Sequence, residues 1–496
     1  MLLLKSIAEL QAYRQQLNDT VGFVPTMGGL HAGHRSLIDR ARRENSRAIV
    51  SIFVNPLQFG PSEDFAKYPR TFDRDRQLCE EAGVDAIFAP TADRMGTIDG
   101  TTLVVPPPEM TSVLCGRTRT GHFQGVATIV TKLLNLVRPD LAYFGRKDAQ
   151  QLAIVRRFVA DLNIPVEIVP CPIVREASGL AYSSRNQYLS PQAKADAAAL
   201  YRSLQQAEAA FWQGDRHSQH LIDIVRTELK VVPQIELEYV ELVHPETLTP
   251  LQTVEERGLL AIAARVGSTR LIDNVLLRQP IVAIDGPAGV GKSTVARQVA
   301  QHLGVVYLDT GAMYRAIAWQ VLQLGLAVDD EAAIRGAIDR SDLRLEPDGG
   351  SCRVWIDDRE ITDEIRTPEV TAKVSAVSAL GSVRRFLVRR QQEYGRTGGL
   401  VAEGRDIGTH VFPNADVKIF LTASVSERAR RRHKELLDRG YSITLEELEK
   451  TIAERDRKDS TRAIAPLKKA EDAVEICTDE LTVSEAIEGI LEHCRG

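Results

Sequence analysis

Two histidines separated by two residues lie where a short apolar run gives way to a helical pattern. The stretch is Met27-Gly28-Gly29-Leu30-His31-Ala32-Gly33-His34, and the apolar run before it is Val21–Val24. Amide groups at a helix start, together with the helix dipole, favour anions. An imidazole can also donate a hydrogen bond to a phosphate oxygen as charge develops there. The pattern predicts a phosphate site; a pair of zinc ligands or of surface histidines is the alternative.

A second candidate phosphate site lies in the other half of the chain. The segment Gly286-Pro287-Ala288-Gly289-Val290-Gly291-Lys292-Ser293 fits the pattern G-x-x-x-x-G-K-[ST]. It follows the apolar run Ile281–Asp285 and opens a helical pattern, Lys292–Leu303, which is the setting such a loop requires. Its backbone amides can face phosphates, its lysine can reach the β- and γ-phosphates, and its serine hydroxyl can bind Mg²⁺. The predicted nucleotide contacts are Gly286, Gly289, Gly291, Lys292, Ser293 and Thr294, with Ser293 also on the metal.

Strand-like apolar runs alternate with helical patterns over the first 190 residues. The strands are predicted at Val21–Val24, Ala48–Val54, Asp85–Ala89, Leu141–Phe144 and Val166–Val169, and the helices at His34–Arg43, Phe72–Ala82 and Val126–Val137. Such alternation predicts an α/β unit with a mostly parallel sheet covered on both faces. Residues 191–278 differ, because one long alanine-rich helix and a second helix precede two strand-like runs. These elements, with the long helix at Gln192–Gln213 and the strands at Ile235–Val243 and Leu259–Ala264, predict a smaller α+β subdomain.

The strand–helix pattern restarts at Pro280, with almost no linker before it. A run between Leu343 and Ile361 predicts an inserted hairpin with a Pro-Asp-Gly-Gly turn. Further strands are predicted at Val305–Leu308, Leu400–Glu403, Val417–Leu421 and Val474–Ile476, with charge-dense helices at Ser424–Arg439 and Leu445–Arg457. The predicted domains are therefore 1–190, 191–278 and 279–496.

Composition limits the class of protein. The 496 residues are 44% hydrophobic and 26% charged, with a net charge of −5, which is ordinary for a globular protein in solution. No global positive field calls for a nucleic-acid or membrane partner. Six cysteines occur without a Cys-x-x-Cys pair, which favours reduced thiols over a disulfide framework. The opening apolar stretch is too short for a signal peptide, so the expectation is a cytoplasmic enzyme.

Several further motifs accompany the histidine stretch in the first half. They are Phe53-Val54-Asn55-Pro56-Leu57-Gln58-Phe59, Tyr68-Pro69-Arg70-Thr71, Gly121-His122-Phe123-Gln124-Gly125-Val126, Phe144-Gly145-Arg146-Lys147-Asp148-Ala149-Gln150-Gln151 and Ser183-Ser184-Arg185-Asn186. Together these motifs closely resemble the pantothenate synthetase (pantoate–β-alanine ligase) family over residues 1–277. The resemblance implies a Rossmann-like nucleotidylyltransferase fold. It also implies ATP-dependent condensation of pantoate with β-alanine through pantoyl-adenylate, with AMP and pyrophosphate released.

The same resemblance assigns roles to individual residues. It places His34 at the α-phosphate, Lys147 as a cation on the phosphates, and Tyr182–Arg185 as a mobile phosphate loop in which Arg185 also serves catalysis. Nucleotide contacts are implied for Met27, Gly28, His31, His34, Gly145, Lys147, Asp148, Val174, Tyr182, Ser183, Ser184 and Arg185, and pantoate contacts for Asn55, Gln58 and Gln151. Taken singly, Lys147 and Asp148 could be a surface ion pair, and Ser183 to Arg185 a helix cap. Gly29 and Arg146 depart from the family pattern.

The second half carries its own set of motifs. They are Leu308-Asp309-Thr310-Gly311-Ala312-Met313-Tyr314-Arg315, Glu364-Ile365-Arg366-Thr367-Pro368-Glu369-Val370, Glu403-Gly404-Arg405-Asp406-Ile407-Gly408-Thr409 and Arg455…Asp459…Arg462-Ala463-Ile464-Ala465-Pro466-Leu467. They resemble bacterial cytidylate kinases over residues 280–496. The resemblance implies a P-loop nucleoside monophosphate kinase fold, with a monophosphate-binding insert and a lid. The implied reaction is phosphoryl transfer from ATP, with Mg²⁺, to CMP or dCMP.

The kinase resemblance also implies which side chains meet the acceptor. It places Thr310, Arg315, Arg366, Arg405, Asp406 and Asp459 on CMP, and it places Lys292, with the lid residues Arg455 and Arg462, at the transferring phosphate. Phosphoryl transfer depends mainly on positioning and charge neutralisation, so many arginines are expected. Most of the run Arg428–Arg432 is interpreted as a solvated helix face. His217 and His220 are interpreted as exposed residues, and Gly395–Gly399 as a turn.

Other functions remain open from the sequence. The nearest is an adenylyltransferase for a different small acid fused to a kinase for a different monophosphate. A tRNA-linked synthetase is a second alternative, which the acidic net charge opposes. A third is a fusion in which one half is an inactive scaffold. The expected partners are pantoate, β-alanine, CMP and ATP, without nucleic acid or membrane, and the synthetase resemblance suggests a homodimer through residues 1–277.

Overall fold

Two units make up the chain, Met1–Leu277 and Arg278–Gly496. The computed structural model describes all residues except 61–64, 67, 98–99, 349–350, 439–442, 463 and 496. The glycines of the predicted Pro-Asp-Gly-Gly turn, the last residue of the predicted helix Ser424–Arg439 and Ala463 of the lid motif lie outside the described residues.

A six-stranded parallel sheet forms the centre of the first unit. Its strands are β1 Leu2–Leu4, β2 Val21–Thr26, β3 Arg47–Ile52, β4 Ala86–Phe88, β5 Leu141–Gly145 and β6 Glu167–Cys171. The spatial order is β1-β4-β3-β2-β5-β6. The chain leaves β2 toward β3 on one side and later returns to add β5 on the other. The carboxyl ends of β2 and β5 are therefore a topological switch point, where open α/β sheets bind ligands.

Helices cover both faces of this sheet, as the alternating pattern predicts. They are α1 Ile7–Gln15, α2 Ala32–Glu44, α3 Phe72–Glu81, α4 Pro108–Thr111, α5 Cys115–Thr118, α6 His122–Val137 and α7 Ala149–Asp161. Phe23 packs into a core with α1, α6 and α7, whereas its neighbour Val24 packs into a core with α2 and α3, because successive strand residues face opposite sides. Double coverage explains why the strands are nearly continuous apolar runs.

The rest of the first unit is a helical layer against a three-stranded sheet. Its elements are α8 Pro191–Ala197, α9 Ala199–Trp212, α10 Ser218–Lys230, β7 Ile235–Val243, β8 Arg257–Val266 and β9 Thr269–Arg278. The prediction of one helix over Gln192–Gln213 is wrong at Ala198, where the chain breaks into α8 and α9. The ψ of −20° at Ala198 is typical of a 3₁₀ turn rather than of an α-helix.

A five-stranded parallel sheet forms the second unit, in the order β11-β15-β10-β16-β17. Its strands are β10 Ile281–Asp285, β11 Val306–Asp309, β15 Leu400–Gly404, β16 Val417–Thr422 and β17 Val474–Cys477. The predicted hairpin is an antiparallel sheet of three strands, β12 Leu343–Asp348, β13 Ser351–Ile356 and β14 Arg359–Glu360.

The helices of the second unit are α11 Lys292–Leu303, α12 Thr310–Gln323, α13 Glu331–Ile338, α14 Pro368–Ser378, α15 Gly381–Tyr394, α16 Val425–Asp438, α17 Leu445–Thr461 and α18 Val483–Arg495. Two of them, α16 and α17, are the long charged helices that the sequence predicts. Across the described ranges of the chain, none of the helices combines the length and apolarity that a bilayer crossing requires.

Candidate active sites

The two histidines of the first unit lie side by side at the switch point. The loop from β2 to α2 turns through Gly28 and Gly29, whose φ angles are +84° and +63°, a region that favours glycine. His31 caps α2, because its Nδ1 accepts a hydrogen bond from the Gly33 amide at 3.1 Å. The His31 and His34 rings are 4.1 Å apart between centroids. Within the described residues, no group of three or more His, Cys, Asp or Glu side chains is placed to hold a metal ion.

Burial keeps both rings uncharged. Desolvation lowers the pKa of His34 to about 3, with the neighbouring His31 adding to the effect. Desolvation and then Lys147 lower the pKa of His31 to about 4. The Nδ1 atom of His34 is buried without a hydrogen-bond partner among the described residues. At neutral pH each ring therefore carries one N–H donor, which suits a contact with phosphate oxygens.

A buried carboxylate that the sequence analysis did not single out shapes the same loop. Asp75 on α3 accepts hydrogen bonds from the Gly29 and Leu30 amides at 2.9 and 2.8 Å, and from the Thr71 hydroxyl at 3.1 Å. Only 1% of Asp75 is exposed. A buried acid needs such donors, so an acidic residue on the apolar face of a predicted helix was the available signal.

The lysine motif follows β5, the strand next to β2. Gly145 ends the strand, and a 3₁₀ turn Arg146–Asp148 carries Lys147, whose Nζ is 3.7 Å from Asp148 Oδ2. Desolvation opposes ionisation of Asp148, but Lys147 and Arg185 outweigh it and hold the pKa of that carboxyl below its ordinary value. Lys147, Asp148, Gln151, Ser183 and Arg185 together line one solvent-open cleft. Some of the predicted phosphate and substrate groups therefore share a cleft, which an ordinary surface ion pair would not, whereas His31, His34, Asn55 and Gln58 are not among its lining residues.

Two of the three amides predicted for pantoate, Asn55 and Gln58, occupy unequal positions. Asn55 is 1% exposed, and its side chain bonds to Gly125 O at 3.0 Å, Gln58 Oε1 at 3.2 Å and the Leu57 amide at 3.1 Å. Gln58 in turn donates to Met27 Sδ at 2.8 Å. Asn55 thus orients Gln58, and Gln58 lies against the histidine loop.

The segment Tyr182–Arg185, which is expected to form a phosphate loop, also contains the cap that the sequence offered as the alternative. A short hairpin pairs the Tyr182 amide with Val174 O at 3.0 Å, and the Tyr182 ring stacks 6.1 Å from the His31 ring. Ser183 caps the 3₁₀ turn Ser184–Tyr188 by accepting the Arg185 amide at 3.2 Å. The serine is therefore a cap, as its sequence allows, and the cap holds the segment beside the histidines.

In the second unit, a glycine-rich loop joins β10 to α11. Gly286, with φ +149°, approaches β16 so closely that a Cβ would be 2.2 Å from Leu421 O. Gly289 and Gly291 have φ angles of +83° and +88°. Lys292 Nζ donates to the Gly286 and Pro287 carbonyls at 2.8 and 2.6 Å, and burial, followed by Arg405, lowers its pKa. The Lys292 side chain is therefore folded against its own loop. Ser293 and Thr294 follow it in the first turn of α11.

A buried acid faces the serine of this loop. Ser293 Oγ donates to Glu403 Oε2 at 2.9 Å, and the Tyr307 hydroxyl donates to Glu403 Oε1. Burial, followed by Asp309, raises the pKa of Glu403. A hydroxyl and a carboxylate oxygen side by side are the hard ligands that Mg²⁺ prefers, and Glu403 is a candidate that the sequence analysis left without a role.

Three residues predicted to bind CMP, Arg405, Asp406 and Asp459, lie together near the carboxyl end of β15. Asp406 contacts Arg384 and lies 3.3 Å from Arg462, and Arg405 lies 3.2 Å from Asp459. Arg384, on α15 and 4% exposed, escaped the sequence analysis because it sits in an arginine-rich helix without a motif.

Three other residues are predicted to bind CMP, namely Thr310, Arg315 and Arg366. Arg315 pairs with Asp309 at 2.9 Å, and the Thr310 hydroxyl donates to Glu403 O at 2.7 Å. Arg366 lies on the 3₁₀ turn Glu364–Arg366 with its side chain exposed. Thr310 and Arg315 thus lie on α12 near these residues, whereas the Arg366 side chain is exposed.

Arg428 of α16 contacts both α17 and the P-loop. Arg428, only 3% exposed, bonds to Asp456 at 3.0 and 2.5 Å and to Ala288 O at 3.1 Å. Its neighbour Arg430 is 72% exposed. The solvated-face interpretation, made for most of this run, therefore does not extend to Arg428, whose ion pair is with Asp456, the residue after Arg455 on α17.

Two predictions of local structure are confirmed. His217 and His220 are exposed, with His220 3.7 Å from Asp215. Gly395–Gly399 forms a turn that leads into β15. Neither segment takes part in the clefts described above.

Comparison with known proteins divides the chain at the same place. The family model "Pantoate-beta-alanine ligase" matches residues 2–276, and the model "Cytidylate kinase" matches residues 282–496. The bifunctional pantoate ligase/cytidylate kinase of Trichormus variabilis is 60% identical, covering 98% of this chain and 95% of its own. That of a Synechocystis species is 56% identical over 98% of both chains. A pantothenate synthetase crystal structure from Thermus thermophilus is 47% identical and superposes with a TM-score of 0.54, covering 55% of this chain and 99% of its own.

Proposed function

The chain belongs to the family of bifunctional pantoate ligase/cytidylate kinases, and from that premise we propose how its residues carry out the two reactions. It is an enzyme with two activities. One condenses pantoate with β-alanine at the expense of ATP, through pantoyl-adenylate, and releases AMP and pyrophosphate. The other transfers a phosphoryl group from ATP to CMP or dCMP.

For the ligase, the pantoate carboxylate attacks the α-phosphorus, pyrophosphate leaves, and the β-alanine amine then displaces AMP. Neutral His34 donates its N–H to the α-phosphate as negative charge builds up, while Lys147 and Arg185 neutralise the phosphates. Gln58 and Gln151 orient pantoate, and Asn55 orients Gln58. The observation that carries this assignment is the shared cleft of Lys147, Gln151 and Arg185, beside a histidine pair that burial keeps neutral.

For the kinase, a CMP phosphate oxygen attacks the γ-phosphorus of ATP, the bond from that phosphorus to the β,γ-bridging oxygen breaks, and ADP leaves. Lys292 leaves the carbonyls of its own loop and meets the β- and γ-phosphates. Arg405 and Asp406 bind CMP together with Arg315, Thr310 and Asp459, and Arg366 joins them from its exposed turn. Arg455 and Arg462 come from the lid and neutralise the transferring group, since closure excludes water that would hydrolyse ATP. The ion pairs of Arg405 and Asp406 with the lid helix and its end support this assignment.

We also propose that Mg²⁺ enters with ATP at Ser293. The support is the donor set, because Ser293 Oγ and a Glu403 carboxylate oxygen lie 2.9 Å apart. The ion supplies neutralisation of phosphate charge when bound. Ser293→Ala should weaken the binding of Mn²⁺, a magnetic substitute for Mg²⁺, to the ATP-loaded enzyme in a paramagnetic relaxation titration; unchanged binding would exclude Ser293 as a ligand.

The proposal also assigns the roles of the domains, the oligomeric state and the cellular location. Residues 1–190 act as the nucleotide-binding part of the ligase, 191–278 as its smaller part and 279–496 as the kinase. The resemblance to pantothenate synthetases supports a homodimer through residues 1–277, which light scattering of the full chain tests. The two metabolic activities and the cysteine pattern support a cytoplasmic location.

Paired single substitutions test the assignment of the two sites. In separate full-length proteins, His34→Ala should abolish pyrophosphate release with pantoate and preserve CMP phosphorylation, and Lys292→Ala should do the opposite. Loss of both activities from either change would contradict independent sites. Comparing CMP, UMP and AMP as acceptors completes the test, because a strong preference for AMP would exclude the cytidylate assignment.

A further inference from the structure

Two adjacent residues of β9 lie buried in the wall of the ligase cleft. Asp273 is 3% exposed and Asn274 is 7% exposed, and both line the cavity that contains Lys147 and Arg185. A charged and a polar side chain are costly to bury without partners. Their partners are the two segments that carry the predicted phosphate contacts.

Asn274 holds the lysine turn through its side-chain amide. Its Nδ2 donates to the carbonyl oxygens of Arg146 and Lys147 at 3.1 and 2.9 Å. The 3₁₀ turn Arg146–Asp148 is short, and two fixed carbonyls in succession leave its backbone little freedom. The direction in which the Lys147 side chain leaves the turn is therefore set from the small sheet.

Asp273 holds the hairpin that leads to the serine loop. Its carboxylate forms a bidentate pair with Arg175, with Oδ2 2.6 Å from Nη1 and Oδ1 2.9 Å from Nη2. Arg175 also donates to Gly179 O at 3.1 Å, and its guanidinium lies 3.5 Å over the Tyr201 ring. A bidentate charged pair of this kind fixes orientation as well as distance, so the hairpin from Val174 to Tyr182 is tied to β9.

We propose that Asp273 and Asn274 are positioning residues of the ligase, which set Lys147 and the Tyr182–Arg185 segment together around the phosphates of ATP. One rigid dipeptide of the small subdomain thereby couples its sheet to both sides of the site. The proposal rests on the phosphate roles of Lys147 and Arg185 given under the proposed function.

The main test is Asn274→Ala in the full-length chain, with pyrophosphate release from ATP and pantoate as the readout. A displacement near 1 Å can cost about a hundredfold in rate, so we expect kcat to fall about tenfold to a hundredfold while KM for pantoate stays within about threefold. Asn45→Ala is the matched control. Asn45 is also buried and donates two hydrogen bonds, to Ala41 O at 3.0 Å and the Tyr143 hydroxyl at 2.7 Å, at the opposite end of α2 from the histidines. Asn45→Ala should keep wild-type kcat even if its melting temperature falls as far.

A double-mutant cycle distinguishes the positioning role of Asn274 from the phosphate role of Lys147 on which it rests. If Asn274 acts through Lys147, then Asn274→Ala should cost less than about threefold in the Lys147→Ala background, since residues acting as one unit are not additive. Full activity of Lys147→Ala would remove the proposed phosphate role of Lys147. A kcat of Asn274→Ala within twofold of Asn45→Ala, or an undiminished loss in the Lys147→Ala background, would overturn the positioning role while leaving that of Lys147 intact.

Discussion

At the scale of single residues, the buried histidine pair links the chemistry of the ligase to its stability. Desolvation lowers the pKa of His34 to about 3 and that of His31 to about 4, whereas an unfolded histidine titrates near 6.5. The unfolded chain therefore binds protons first as the pH falls. The contribution of the two neutral rings to stability is fully present above pH 6.5 and is lost as the pH falls, down to about pH 4 for His31 and about pH 3 for His34.

We expect His34→Gln to weaken this pH dependence. A neutral amide cannot be protonated in the same range, so the loss of about 1.4 kcal/mol per pH unit that one such histidine can cause should disappear. Urea unfolding of the first unit at pH 7, 6 and 5 measures the slope. The exposed residue His217 gives the control, because His217→Gln should retain the wild-type slope. Equal slopes for both variants and the wild type would show that His34 is not buried as a neutral ring.

Gly125 is a residue whose lack of a side chain positions the pantoate amides. A Cβ at this position would be 2.1 Å from Leu57 O and 2.7 Å from the Gln58 nitrogen. Gly125→Ala should therefore displace the turn that carries Gln58, with an overpacking cost of about 1–3 kcal/mol. We expect a raised KM for pantoate and a lowered melting temperature of the first unit, with unchanged CMP kinase activity in the same chain. A wild-type KM would contradict the role of that turn.

At the scale of elements, an ion pair joins helices α16 and α17 next to the P-loop. Arg428 of α16 reaches both Asp456 of α17 and the P-loop carbonyl of Ala288. Hydrogen bonds to charged groups contribute about 1.5–3 kcal/mol. Arg428→Met should therefore raise KM for ATP in the kinase reaction by about tenfold or more and lower kcat.

The same helix provides the control for this prediction. Arg430→Met removes an exposed arginine of α16 that pairs with Glu427 and should leave the kinase constants near wild type. Asp456→Asn should mimic Arg428→Met, and the double variant should be little worse than either, because the two side chains form one contact. Additive losses would show that Arg428 acts on the P-loop alone.

Element prediction from the sequence succeeded where apolar periodicity was strong and local. Ile235–Val243, Ile281–Asp285 and Lys292–Leu303 have the predicted boundaries. The edge strand β1 and the helices α1 and α7 were not predicted, and neither was β9. The strand β9 reads as Thr269-Arg270-Leu271-Ile272-Asp273-Asn274 at its start, so its two buried polar residues interrupt the alternation that indicates a strand. These same residues hold the ligase cleft.

At the scale of the whole molecule, each unit has its own hydrophobic core. One buried cluster lies entirely within residues 281–494, and three others lie entirely within residues 4–277. Separate cores predict two calorimetric transitions in the full chain. CMP at 100 times its Kd should stabilise the second unit by about 2.7 kcal/mol and leave the other transition in place, whereas pantoate with ATP should shift the first. A single transition that both ligands shift would contradict independent folding.

The sequence by itself determined the two fold classes, the P-loop, the histidine loop and the family, because short motifs at a strand–helix junction encode local backbone geometry and the chemistry of their own side chains. Only the tertiary structure decided which residues hold those motifs in place. Asp75, Arg384, Asp273 and Asn274 act on partners 22 to 128 positions away in the chain. Their roles follow from burial, since a polar group removed from water must find a partner wherever the fold brings one. No local pattern in the sequence specifies that partner.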